Sequence, residues 1–159
     1  MNPEESARTV LTKVWLDRGF PVDPVWIANE LGIRVLEGSL PSKISGALVK
    51  KLNEDPVILL NKMDSKNRKR FTCAHEIGHY IARQNNNDDS YEFIDMRSPR
   101  SSEGIDQEEV FANGFAANLL MPRDELLECK KKNTQAFAAA YYFGVSQEAY
   151  NNRLANVRG

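Results

Sequence analysis

The two histidines of this chain constrain it more than any other feature, because they are the only two among its 159 residues and they lie four positions apart. Residues four apart share one face of an α-helix, so His75 and His79 can both point a ring nitrogen at a single metal ion. Glu76 follows the first histidine and is placed to hold a water molecule beside that ion. This spacing is typical of zinc sites that hydrolyse amides, with the glutamate as general base.

The alternative is an ordinary helix in which the two histidines are hydrogen-bonded core residues. The motif lies in an apolar run that includes Phe71, Ala74 and Ile77, which predicts that the helix is buried. Buried histidines and a buried glutamate need partners, and a metal ion supplies one. We therefore favour the metal site. Cys73, which lies inside the same helix, is predicted to be a small core residue rather than a ligand.

A hydrolytic zinc site usually takes three protein ligands and a water molecule, and no further histidine remains in this chain. The third ligand must then be a carboxylate. The candidates are Asp106, Glu108 and Glu109, at the start of a helix predicted over 106–120. Each of the three can instead be a solvated acid of the first helical turn, where the helix dipole favours negative charge.

Helical geometry separates the two glutamates. Glu109 shares a face with small residues such as Ala112, so this face can approach the metal helix closely, and Gly78 on that helix would help. Glu108 instead heads the apolar stripe that begins at Phe111, so its carboxylate would have to bend out to solvent. Periodicity alone leaves the choice open; we prefer Glu109 and keep Glu108 as the reserve.

The remaining sequence predicts an α+β fold in one domain, 1–159. A small antiparallel or mixed sheet of about three strands packs on the histidine helix, and 122–159 form a C-terminal helical subdomain. The predicted strands are 33–36, 46–50 and 57–61, with a short fourth candidate at 91–94. The predicted helices are 4–18, 25–31, 65–83, 106–120, 123–132, 134–143 and 146–154. A loop near the cleft is predicted at 98–104.

Composition and charge argue against several functions. A net charge of −1 gives no general attraction to nucleic acid or to a membrane surface. No apolar run approaches the ~20 residues of a transmembrane helix, and the polar, acidic segment 1–5 does not resemble a signal peptide. Two isolated cysteines form no disulfide framework. We expect a cytoplasmic protein without membrane contact.

Two segments of the chain resemble the ImmA/IrrE family of metallo-endopeptidases. The first is 70–80, which reads Arg-Phe-Thr-Cys-Ala-His-Glu-Ile-Gly-His-Tyr. The second is 109–122, in which Glu-x-x-Ala-Asn is followed by Leu-Leu-Met-Pro. Shorter similarities at 27–33, 57–61 and 143–146 extend the resemblance over most of the chain.

The resemblance implies a zincin-like α+β fold and one Zn²⁺ per chain, held by His75, His79 and Glu109, with Glu76 as the catalytic base. In this family the glutamate of the Glu-x-x-Ala-Asn pattern completes the zinc site, which is then of the gluzincin type. Known members cleave repressor proteins of phages, mobile elements or stress regulons. The resemblance therefore implies a helix-turn-helix repressor as the substrate.

Two functions without catalysis are the alternatives. The segment 136–154 resembles a helix-turn-helix with Gly144 at its turn, but its second helix carries only one cation, Arg153. DNA binding depends on phosphate neutralisation, so we do not expect direct nucleic-acid binding. The other alternative is a partner-binding module, as in a toxin–antitoxin-like pair. The presence of Glu76 argues against it, because a module that only binds needs no general base.

Overall fold

The structure, a computed structural model, describes residues 1–97 and 106–157, so the loop predicted at 98–104 lies outside the described residues. Within these ranges the chain forms seven α-helices and four β-strands, which is the predicted α+β class. The helices are α1 (Pro3–Lys13), α2 (Pro24–Glu30), α3 (Lys66–Asn85), α4 (Gln107–Leu120), α5 (Arg123–Lys131), α6 (Ala136–Phe143) and α7 (Gln147–Asn156). The strands are β1 (Arg34–Gly38), β2 (Ile44–Lys50), β3 (Val57–Asn61) and β4 (Tyr91–Met96).

The four strands form a mixed sheet in the order β1-β3-β2-β4. β1 runs parallel to β3, while β2 is antiparallel to both β3 and β4. β3 is internal, as its continuous apolar sequence predicts. The predicted β2–β3 hairpin is confirmed by the pairing of Leu48 with Ile58. The sequence predicted a sheet of about three strands and a short fourth candidate at 91–94. The structure includes this candidate as β4, which is two residues longer than predicted.

α3 carries the two histidines and begins after Ser65, whose side chain accepts a hydrogen bond from the backbone N–H of Arg68. Every residue from 72 to 79 is buried, because the sheet covers one side of this helix and α4 covers another. His75 and Glu76 lie in the middle of this buried segment. Their polar atoms are removed from bulk water and must be satisfied locally.

The close approach of α3 and α4 depends on Gly78. A Cβ atom at that position would lie 2.9 Å from Ala112 Cα and 3.3 Å from Ala112 Cβ, which is shorter than a normal carbon–carbon contact. The prediction that small residues bring these two helices together is therefore confirmed. This approach places the first turn of α4 beside the histidines of α3.

The first helix is shorter than predicted. α1 ends at Lys13 rather than at 18, because Leu16 and Asp17 adopt positive φ angles of 59° and 50° that a right-handed helix does not contain. Trp15 nevertheless joins the core, where its ring packs edge-on against Trp26 with 5.5 Å between centroids. The apolar residues that predicted a longer helix therefore include Trp15, which lies in the turn after α1.

A continuous hydrophobic core runs from α1 to the end of α7. Its fully buried large side chains come from several elements and include Leu48 of β2, Ile77 of α3, Phe115 of α4 and Phe143 of α6. The C-terminal helices thus pack on the same core as the histidine helix. In the two described ranges, no helix has both the length and the apolar composition needed to cross a membrane.

Candidate metal centre

The three predicted ligands converge at one point between α3 and α4. His79 Nε2 lies 2.8 Å from Glu109 Oε1, and His75 Nε2 lies 3.2 Å from Glu109 Oε2. The two imidazole rings are 4.8 Å apart between centroids and nearly perpendicular, at 80°. The ligand atoms of all three residues lie within 4.8 Å of one another, a spacing suited to a single cation.

The donor set fits a metal ion better than a network of protein hydrogen bonds. Within residues 1–97 and 106–157, neither ring nitrogen of His75 and neither carboxylate oxygen of Glu76 has a hydrogen-bond partner, although all these atoms are buried. The contact of His75 Nε2 with Glu109 has the length of a hydrogen bond without its geometry. Unpaired buried polar atoms are rare. Two imidazoles and one carboxylate are ligands that zinc takes in hydrolytic sites, and coordination would satisfy His75.

Glu76 is fully buried beside these ligands, with one carboxylate oxygen 3.9 Å from His75 Nε2. Burial disfavours the charged form and raises the pKa of Glu76 to about 8. A carboxyl group with a pKa close to neutrality can both accept and return a proton at physiological pH. Glu76 is therefore suited to general acid–base chemistry at this position.

Glu109 and His79 stabilise each other's charged forms. Burial by itself would lower the pKa of His79, but hydrogen bonds to Glu109 and Glu108 outweigh it and raise this pKa to about 9. The neighbouring imidazoles of His75 and His79 hold the pKa of Glu109 far below its usual range. A metal ion would replace the proton on His79 Nε2, so metal binding should release that proton. Glu109 is 44% exposed, which leaves the centre open on its side.

Glu108 does not bend out to solvent, so this expectation from helical periodicity is wrong. His79 Nδ1 donates to Glu108 Oε2 at 2.6 Å, Arg83 Nε lies 3.0 Å from Glu108 Oε1, and the Glu108 side chain is only 18% exposed. α3 and α4 approach so closely that two adjacent glutamates of α4 reach the two ring nitrogens of one histidine. Asp106, the remaining candidate, caps α4 by accepting a hydrogen bond from the Glu108 N–H.

Sequence reasoning missed two residues of β4 that face the centre. The ring of Phe93 stacks on His79, with 4.3 Å between centroids and 19° between planes. Asp95 forms a second group of ligand-type atoms with His75 and Glu76, again within 4.8 Å, and burial raises the pKa of Asp95. Alternate residues of a strand share a face, so the alternation along 91–96 is a signal that pairs Phe93 with Asp95. The sequence does not show that this face lies against α3.

The segment that resembles a helix-turn-helix is fastened to the rest of the molecule. Arg153, the cation of α7, donates to Met121 O at 3.2 Å and to Asn118 Oδ1 at 2.8 Å. Gly144 ends α6 with a φ of 69°, and Arg70 of α3 donates to its carbonyl oxygen at 3.0 Å. Arg153 is therefore engaged in contacts inside the molecule, and α7 serves to hold the end of α4.

The fold is that of a small zincin-like α+β domain, and its candidate site is a group of three residues, His75, His79 and Glu109, that could hold a metal ion. The chain belongs to the Peptidase M78 family, described as the IrrE N-terminal-like domain, whose family model matches residues 28–155. This match confirms the resemblance to the ImmA/IrrE family and makes the chain a member of a metallopeptidase family. A comparison with curated proteins gave no match.

Proposed function

We propose that this chain is a zinc-dependent endopeptidase. The observation that carries the proposal is the convergence of His75, His79 and Glu109 beside Glu76, whose buried carboxylate has no hydrogen-bond partner among the described residues. A structural zinc site would have four protein ligands and no need of a general base. An ordinary polar cluster in a core would satisfy its own buried atoms. Membership of a metallopeptidase family supports the same conclusion.

In this proposal His75, His79 and Glu109 hold one Zn²⁺ through two ring nitrogens and a carboxylate. An ion held there would act as a Lewis acid toward the scissile carbonyl and would lower the pKa of a bound water toward ~7. Glu76 would accept the proton of the attacking water and return it to the leaving amine, since its buried carboxylate lies beside the ligands and has no hydrogen-bond partner among the described residues. The exposed side of Glu109 leaves room for a polypeptide to enter.

The position of β4 supports a polypeptide substrate. Within the described ranges β4 pairs with β2 alone, and Phe93 and Asp95 place this edge strand beside the centre. An extended segment can add to such an edge through main-chain hydrogen bonds. The narrower proposal, that the substrate is a single helix-turn-helix repressor met in the cytoplasm, rests on the family resemblance.

The test is cleavage of a defined protein. The zinc-loaded protein is incubated with a helix-turn-helix repressor encoded beside its gene, and the products are identified by intact mass. We expect defined cuts that stop when a chelator is added and resume when zinc is restored. The matched control is Glu76→Gln at the same zinc loading, which should not cut. Equal cleavage by the wild type and by Glu76→Gln would mean that Glu76 is not the base or that a contaminant cuts the repressor. Tight binding of the repressor without cleavage would favour a partner-binding module.

A further inference from the structure

The outer side of His79 is held by a chain of charged side chains that the proposed peptidase mechanism does not use. His79 Nδ1 donates to Glu108 Oε2 at 2.6 Å. Arg83 Nε forms an ion pair with Glu108 Oε1 at 3.0 Å, without the geometry of a hydrogen bond. Arg83 Nη1 donates to Asp88 Oδ2 at 2.9 Å. These contacts join the last turns of α3, the first turn of α4 and the segment between α3 and β4. Three parts of the fold therefore meet behind one imidazole.

Arg83 also acts on the face of the same imidazole through Phe93. The guanidinium carbon of Arg83 lies 4.6 Å from the Phe93 ring centroid, and Phe93 in turn stacks on His79. A cation over an aromatic face is attracted by the ring electrons. One arginine thus contacts both groups that hold His79, which are the carboxylate at the edge of its ring and the phenyl group on its face.

We propose that Glu108 and Arg83 are a positioning pair for His79, which sets the zinc affinity of the centre without contacting the ion or the substrate. This inference rests on the proposed function, because it presupposes zinc at His79 Nε2. A carboxylate on Nδ1 keeps the proton on that nitrogen, presents Nε2 to the ion and makes the imidazole a stronger ligand. The ion pair with Arg83 keeps the carboxylate of Glu108 beside α3, where it can do this.

Two other roles for Glu108 fit the structure less well. As a zinc ligand it would have to leave His79 Nδ1, whereas Glu109 already contacts the Nε2 atoms of both histidines. As a helix cap it is redundant, since Asp106 caps α4. An acid in the first turn of a helix does gain from the helix dipole, and this contribution requires a control. Glu148, an exposed acid in the first turn of α7, provides that control.

The test compares zinc dissociation constants of variants of the whole 159-residue protein, measured by competition with a chromophoric chelator. Glu108→Ala should weaken zinc binding about 10–100-fold, the usual effect of removing the outer partner of a ligating histidine. Glu108→Gln should recover part of this loss, because its amide oxygen can still accept from Nδ1–H. Arg83→Leu should weaken binding less than Glu108→Ala does. Glu148→Ala should leave the affinity unchanged.

Two further measurements separate positioning from a general structural role. Cobalt(II) in place of zinc reports ligand geometry through its visible absorption, and the bands should change in Glu108→Ala but not in Glu148→Ala. Thermal unfolding of the metal-free proteins shows whether a variant has lost zinc because it has lost its fold. We expect metal-free Glu108→Gln to lose less stability than metal-free Glu108→Ala, because it keeps the hydrogen bond to His79 and loses only the charge.

The outcomes distinguish this inference from the proposed function. Wild-type affinity in Glu108→Ala, together with loss of zinc in His79→Ala, would overturn the positioning pair and leave the zinc peptidase standing. Failure of the wild-type protein to bind zinc would overturn both. A loss of affinity in Glu108→Ala that Glu108→Gln does not restore, with an equal loss of metal-free stability in both, would give Glu108 a structural role only and would also overturn the inference.

Discussion

The two histidines of the centre are equivalent in the sequence motif but differ in their surroundings. His79 has a carboxylate on each ring nitrogen, from Glu109 and Glu108, and the ring of Phe93 on its face. His75 has Nε2 close to Glu109, but in the part of the chain that the structure describes its Nδ1 has no hydrogen-bond partner. Protein groups therefore contact both ring nitrogens and one face of His79, whereas His75 has no contact of hydrogen-bond geometry at Nδ1 or Nε2 among the described residues.

The difference follows from where α4 begins. Its first turn, with Glu108 and Glu109, lies beside His79, one helical turn further along α3 than His75. His75 instead lies next to Phe71, whose ring is 6.3 Å away between centroids and inclined by 24°. One motif can thus combine a histidine that protein groups fix on several sides with a less constrained one. Substitutions around His79 should then change zinc affinity and stability differently from substitutions around His75, although both histidines are proposed ligands.

The largest effect is expected from Glu109→Ala, because this residue is the one that both histidines share. The variant should lose more zinc affinity than the about 10–100-fold expected of Glu108→Ala, since a ligand matters more than its outer partner. It should also lose all peptidase activity. Zinc per chain after dialysis measures the difference. If Glu108→Ala loses its zinc while Glu109→Ala keeps it, the two glutamates have the opposite roles.

Glu76→Gln should separate catalysis from zinc binding, because it changes the proposed base and neither histidine. The substitution keeps the shape of the side chain and leaves the three proposed ligands in place, so zinc content and unfolding temperature should stay close to those of the wild type. The cleavage rate should fall by at least ~10²-fold, the scale of general-base catalysis. The rate is measured on the same repressor at equal zinc loading. Wild-type turnover in this variant would remove Glu76 from the role of base.

Gly78→Ala should disturb the contacts of His79 with α4, because it pushes α3 and α4 apart. The added methyl group would lie 2.9 Å from Ala112 Cα, and such overpacking costs about 1–3 kcal/mol, offset in part by the roughly 1 kcal/mol better helix propensity of alanine. The free energy of unfolding in urea should therefore fall. The control is Gly38→Ala, since a Cβ there meets no described atom within 4 Å. Equal stability of both variants would mean that α4 can move away freely.

The smallest effect tests the comparison of the two histidines directly. Metal-free His79→Ala should be less stable than metal-free His75→Ala by about 1 kcal/mol, because it removes hydrogen bonds to charged partners that His75 lacks among the described residues. This figure allows for the 44% exposure of Glu109, which weakens its interaction. Thermal unfolding in the presence of a chelator measures both variants. The same stability in the two would show that His79 is no better anchored than His75.

The sequence by itself determined the features that depend on neighbours in the chain. The helical spacing of His75 and His79, the helix over 65–83 and the β2–β3 hairpin were all predictable, because each involves residues close in sequence. The small face of α4, together with the family resemblance, also selected Glu109. Periodicity failed at the end of α1, where Leu16 and Asp17 leave the helix although the apolar spacing continues.

Only the tertiary structure decided what surrounds the candidate ligands. Glu108 reaches His79 across 29 positions of sequence, and Phe93 and Asp95 reach the centre because β4 packs beside α3. Helical phase correctly placed Glu108 and Glu109 on different faces, yet it predicted solvent for Glu108. Periodicity reports which face of one element is apolar, whereas the distance between two elements depends on side chains from both. At Gly78 that distance is short enough for two adjacent glutamates to hold one imidazole.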